Sequence, residues 1–222
     1  MLIWAIYKNA ACLFIIGAFL YFCSRLIKKQ ERVNKRCESQ MMRNTINSLK
    51  AKSNMSNSSI NELFAHSSLL ELPKKHILTS SFQNDKNFYF IEKGIARSYC
   101  VINDKELTSW FSTEGDIVFS TNNFYGNQQG YEYEVVQLLE NTVLYAVPIK
   151  DLEKLYQTNI EIANWSRILH QEAFIMNEKR LISRLYKSAE ERYIELLQTR
   201  PDLFQRVNLG YIASFLGISQ VT

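Results

Sequence analysis

Residues 209–222 read LGYIASFLGISQVT, and this short stretch decides how the remainder of the chain is organised. Asn208 stands directly before it and can cap a helix whose apolar run reaches Leu216. Gly217 then ends that helix, because glycine takes positive φ without a steric penalty. Ser219, two residues on, can cap a further helix. A helix-turn-helix that reads DNA needs a small residue where its helices touch, a turn residue tolerant of positive φ, and apolar side chains that fix the interhelical angle. Ala213 supplies the first, Gly217 the second, and Ile212, Leu216, Ile218 and Val221 the third. A gene-regulatory reading requires two short helices here. One unbroken helix, or a helix buried against the β-domain, would remove it.

Upstream, Ser188-Ala-Glu-Glu191 has the form of a capping box, with the hydroxyl accepting from the Glu191 amide and the carboxylate from the Ser188 amide. It predicts a helix to about Gln198, which Pro201 helps end. Farther back, Ile160 to Lys187 contains neither Gly nor Pro. Apolar residues through this run form one broad stripe on a rod roughly 40 Å long at 1.5 Å per residue. A small β-domain cannot cover that length. The surplus is expected to pair with a second copy of the chain, with Ile162, Trp165, Leu169, Ile175 and Met176 at the seam. A helix lying across its own domain is the competing arrangement.

Between His76 and Pro148 the period changes to short β-rich runs: HILTSSF, FYFIEKG, IARSYCVI, ELTSWF, DIVFST, YEVVQLL and TVLYAVP. Polar punctuation such as Asn103-Asp104 and Glu114-Gly115 separates them. Such spacing predicts an antiparallel sandwich or roll, not a parallel sheet. Short helices are expected over 41–52, over 57–66 with Ser58 or Ser59 as cap, and over 149–157.

The amino terminus differs in character. Residues 10–24, AACLFIIGAFLYFCS, are almost wholly apolar, and extension back to Leu2 approaches the roughly 20 residues that span a bilayer. Six basic residues follow between Arg25 and Arg36, which would hold the carboxy-terminal side in the cytoplasm. Residues 2–24 are therefore a candidate transmembrane helix, an anchor at the inner membrane. A start at Met41 or Met42 is the competing reading. Either way residues 41–222 are expected to be cytoplasmic.

Charge follows the same division. The net +4 comes from residues 1–40, which carry seven basic groups against two acidic ones, so residues 41–222 sum to −1. Overall basicity therefore says nothing about nucleic acid. Cys12, Cys23, Cys37 and Cys100 include no CxxC pair, and His66, His76 and His170 are scattered, so neither a metal site nor any other cofactor is expected. No Ser/His/Asp constellation or phosphate loop points to an enzyme.

The segments FYFIEKGIARSYC (88–100), ELTSWF (106–111), SAEERYIELLQTRPDLFQRV (188–207) and LGYIASFLGISQVT, together with the long helix, resemble the Crp/Fnr family of bacterial transcription regulators over about residues 42–222. The resemblance implies an α+β chain with a cyclic-nucleotide-binding-like β-roll (a jelly roll) over 41–157, a dimerisation helix over 158–187, and a winged helix-turn-helix over 188–222. Residues 1–40 form an extension outside it. In such a chain Ser219, Gln220, Val221 and Thr222 would face double-stranded DNA, and Gln220 could bond adenine in the major groove. The sequence ends there, so the helix-turn-helix is expected to be truncated and to bind operator poorly as it stands. Thr121, Tyr131 and Glu132 fall where cyclic-nucleotide-binding members place a glutamate, an arginine and a hydroxyl residue for ribose and phosphate. No Arg or Lys occurs between Glu106 and Ile149. The effector is accordingly expected not to be a cyclic nucleotide, since phosphate capture wants a guanidinium. A membrane-tethered sensor or adaptor that does not read DNA is the alternative function.

Overall fold

A computed structural model describes residues 42–79, 86–119 and 134–218. The chain parts into two compact units, Met1–Arg43 and Asn44–Thr222. Nearly all of the first, including the apolar segment 2–24 and the anchor expected there, lies outside the described residues. Among the described residues no helix is long and apolar enough to cross a membrane.

Two short helices, α1 (Arg43–Ser53) and α2 (Asn57–Leu63), lead into strands β1 (Ser68–Leu72), β2 (Ile77–Thr79), β3 (Asn87–Lys93), β4 (Ala96–Ile102), β5 (Lys105–Ser112), β6 (Ile117–Val118), β7 (Glu134–Leu138) and β8 (Thr142–Pro148). Helices α3 (Ile149–Thr158), α4 (Ile160–Tyr186), α5 (Ala189–Thr199), α6 (Pro201–Arg206) and α7 (Leu209–Leu216) follow. The strands form two four-stranded sheets, ordered β1-β8-β3-β6 and β2-β7-β4-β5, and every pairing is antiparallel. This is the expected roll. Asn103 and Asp104, both at positive φ, make the two-residue turn between β4 and β5.

Alternation along β3 assigns its residues to two cores. Tyr89 and Ile91 join Leu78, Val136, Leu138 and Leu144 in one buried cluster. Phe88 and Phe90 turn the other way, toward the helices: Phe90 stacks on Trp165 of α4 at 5.6 Å and meets Phe64 edge-on at 4.9 Å. Glu92, on the same strand, is buried and caps α1 from a distance in sequence, its carboxylate accepting from the amides of Asn44 (2.9 Å) and Thr45 (3.0 Å). Gly94, at φ +115°, must be glycine: a Cβ there would lie 2.4 Å from Thr142 Oγ1.

Several local expectations are corrected. The cap of α2 is Ser56, not Ser58 or Ser59; its Oγ accepts from the Ser59 amide. No strand was expected at 68–72, yet β1 forms there as an edge strand, paired among the described residues only with β8; Leu70 and Leu72 turn toward the core while the apolar Leu69 faces out, so the sequence lacks the clean alternation that marks a half-buried strand. The helix that begins at Ser188 stops at Thr199 as expected, with Arg200 out of helical geometry directly before Pro201, and Pro201 has a second role. It opens α6 at the first helical turn, where a missing N–H is harmless. The Ser188 capping box is present as expected.

Candidate functional site

Where α1 and α4 approach both sheets, they enclose a cavity of about 460 Å³. Phe90, Trp110, Val118, Phe119, Trp165, Leu169 and Phe174 give it apolar walls, while Thr45, Ser98, Ser112 and Asn177 supply uncharged polar groups. Its volume and lining suit a small-molecule ligand. Lys52 pairs with Glu172 at 2.9 Å, and Arg200 with Asp202 at 3.0 Å, so both cations on the wall already have carboxylate partners. Thr45 is held in place through its amide, yet its buried Oγ1 has no hydrogen-bond partner among the described residues. His170 lies on the same wall, and its Nδ1 sits 2.7 Å from the Ser166 carbonyl one turn back.

The second region is the junction between roll and carboxy-terminal helices. Asn208 caps α7 by accepting from Gly210 N at 2.7 Å, and Gly217 ends it in the left-handed region, at φ 67° and ψ 40°. The expected break therefore exists. Ile212, Ala213 and Leu216 are buried and Ile218 packs beside them, joining Leu196, Leu203 and Val207 in one cluster. That cluster also takes in Ile95, Phe111 and Leu139 of the roll. The helix is thus buried against the β-domain, the arrangement named above as one that removes the gene-regulatory reading. The physical reason is the edge of β5, which among the described residues pairs only with β4. Ser214 Oγ accepts from Thr108 N (2.9 Å) and donates to Glu106 O (2.7 Å), and so satisfies backbone groups that a further strand would otherwise take.

Cations consolidate this junction. Arg180, on α4, donates to the carbonyls of Ser109 and Thr108 on β5 and of Phe215 on α7, with its guanidinium 4.0 Å from the Phe215 ring. Burial, and then the neighbouring charge of Arg184, lower its pKa to about 10. Arg184 also donates to Phe215 O, and Arg192 to Leu216 O, so three guanidiniums gather at the negative end of the α7 dipole. Arg97, fully buried on β4, lies between the rings of Tyr99 (4.3 Å) and Tyr211 (3.8 Å) and bonds Thr108 Oγ1 and Glu106. Arg206 bridges Glu114 and Glu140 of the roll. Burial raises the Glu114 pKa, but Arg206 and the Gly94 amide outweigh this and bring it down to about 2.

Placement of the expected site residues is mixed. Ser219, Gln220, Val221 and Thr222 lie outside the described residues, as do Thr121, Tyr131 and Glu132. Of the five residues expected at a dimer seam, Ile162 (0% exposed) and Trp165 (1%) are instead buried within the protomer. They seat α4 on the roll, the arrangement that had been the competing one. Leu169 is half-buried on the cavity wall, and Ile175 and Met176 are exposed. Phe174, Leu181, Leu185 and Tyr186 extend the exposed apolar stripe beyond the residues expected. The junction arginines were not foreseen. Their one sequence signal is the i, i+4 pair Arg180/Arg184 near the end of the long amphipathic helix.

No protein-family model and no curated protein match the sequence. Solved structures do. A transcriptional regulator from Eubacterium rectale assigned to the Crp/Fnr family aligns with a TM-score of 0.60 at 13% identity, over 75% of this chain and 79% of its own. The c-di-GMP-responsive global regulator CLP of Xanthomonas campestris aligns with a TM-score of 0.59 at 15% identity, over 74% and 86%. A CooA mutant from Carboxydothermus hydrogenoformans aligns with a TM-score of 0.56 at 19% identity, over 75% and 76%. At such identities the likeness is one of fold: the chain has the fold of the Crp/Fnr transcriptional regulators.

Proposed function

We propose that the protein is a dimeric, DNA-binding transcription regulator whose roll senses a small effector and biases the placement of its helix-turn-helix. The observation that carries this reading is the left-handed break at Gly217 after an Asn208-capped α7, in a chain folded like the Crp/Fnr regulators. Residues from Ser219 onward are proposed to face the major groove, with Gln220 as a candidate reader of adenine. The packing of α7 on β5 stands against this reading, which therefore requires a second state in which α7 leaves the roll. An effector that favoured that second state would control access to DNA. The exposed second half of α4 is proposed to pair with a second copy, so that two reading heads share a two-fold axis.

The test is selection from random-sequence duplexes with the product of the complete reading frame. The expected result is an enriched palindrome with half-sites about one helical turn apart, bound less tightly as salt rises. Enrichment of no sequence, with salt-dependent binding to every duplex alike, would overturn the proposal.

A further inference from the structure

We infer that the cavity between the roll and α4 takes an uncharged, predominantly apolar small molecule carrying a hydrogen-bonding group, and not a nucleotide or other anion. This rests on the reading of the protein as an effector-sensing regulator and names the chemistry of its effector.

Three observations carry it. First, the walls are aromatic: Trp165 stacks on Phe90, Phe119 stacks on Phe88 at 5.1 Å, and Trp110 completes the lining. Aromatic faces offer a large contact area and little to a hydrated anion. Second, both cations on the wall are committed, Lys52 to Glu172 and Arg200 to Asp202. Two further carboxylates, Asp116 and Glu134, face the same space. An anion entering here would have to break an ion pair to find a partner and would meet like charge besides. The absence of Arg and Lys from Glu106 to Ile149 removes any local replacement. Third, uncharged polar side chains, Ser98, Ser112 and Asn177 among them, share the wall. A ligand bearing one donor or acceptor on an apolar body can meet them without bringing a charge.

The experiment uses the uncharged fluorophore N-phenyl-1-naphthylamine, its sulfonated anionic relative 8-anilinonaphthalene-1-sulfonate, and cyclic AMP as competitor. Energy transfer from Trp110 and Trp165 reports binding. The uncharged probe is expected to saturate at one per protomer, at least tenfold more tightly than the anion, with no displacement by millimolar cyclic AMP. Ala173→Trp, which fills the cavity from α4, should lower probe affinity at least tenfold. Leu169→Trp provides the same block where the first variant melts early. Displacement by cyclic AMP, tighter binding of the anion, or probe binding indifferent to both filling variants would each overturn the inference. Duplex selection on the same preparation separates this from the parent reading. Selected sites without probe binding sink the cavity chemistry alone, whereas probe binding without selected sites sinks the regulator and leaves a binding protein.

Discussion

At the scale of single residues, two positions hold the carboxy-terminal helices in place by different physics. Gly217 sits at φ +67°, where a Cβ would make only ordinary contact with Arg184, 3.5 Å away. Crowding is therefore not what excludes a side chain. Backbone strain is, at about 1–2 kcal/mol for an L-residue in the left-handed region. Gly217→Ala should lower thermal stability by that amount, and Gly217→Asn, which tolerates the region better, by visibly less. Equal losses would show that packing around the turn, not its φ, sets the residue. Glu114 acts through charge. Its carboxyl, at about 2 in the folded chain against an ordinary value of 4.5, contributes stability that is fully present above about pH 4.5 and is lost as pH falls from there toward 2. Arg206→Met should cost about 1–2 kcal/mol near neutrality, a figure discounted because both groups are about a quarter exposed. It should also flatten the fall in melting temperature between pH 5 and pH 3. A variant whose melting temperature falls as steeply as that of the parent would place the acid sensitivity elsewhere.

At the scale of elements, the meeting of β5, α4 and α7 explains why α7 docks on the roll. An edge strand leaves backbone groups unpaired, and here Ser214 and Arg180 satisfy them in place of a neighbouring strand. Arg180 is the strut common to all three elements, and Asn177 and Met176 on the turn before it line the cavity. Arg180→Ala should leave the roll intact but raise amide exchange through residues 209–216 at least tenfold relative to the buried amides of β3. Unchanged exchange there would show that the apolar cluster alone holds α7. Much of this fold was legible in the sequence, because period and punctuation are local. The seven runs from His76 onward became strands, the glycine-free run became α4, and the Ser188 box and Asn208 cap began helices as written. What escaped depended on distant partners. The edge strand β1 exists because β8 offers it a register, and α1 is capped by a glutamate 47 residues away. The docking of α7 depends on an unpaired strand edge more than 100 residues upstream. The cavity was least legible, since helices at opposite ends of the roll sequence supply its walls alongside the strands.

At the scale of the whole molecule, α4 divides into two halves with different obligations. Its first half is anchored: Asn159 caps it, and Ile162 and Trp165 are buried on the roll. From the rim of the cavity onward the helix leaves its apolar residues uncovered, with Phe174 70% and Leu185 78% exposed, and Leu181, Ile182 and Tyr186 exposed beside them. Phe174 and Leu181 are seven residues apart, as are Ile175 and Ile182, and Leu185 follows Leu181 by four. These spacings place them on one side of a helix in the pattern that a coiled-coil seam requires. A contiguous apolar strip of this kind seeks cover in water, and an identical strip related by a two-fold axis matches it in both length and period. The chain should therefore sediment at twice its own mass at micromolar concentration. Leu181→Glu combined with Leu185→Glu lies beyond the cavity lining and should convert it to a monomer with its roll still folded, because those side chains touch little within the protomer. Like charges facing each other across the seam would also weaken any residual pairing. A parent that sediments as a monomer, or a double variant that remains dimeric, would move the two-fold axis off α4. The half-site spacing expected of the operator would then lose its geometric basis.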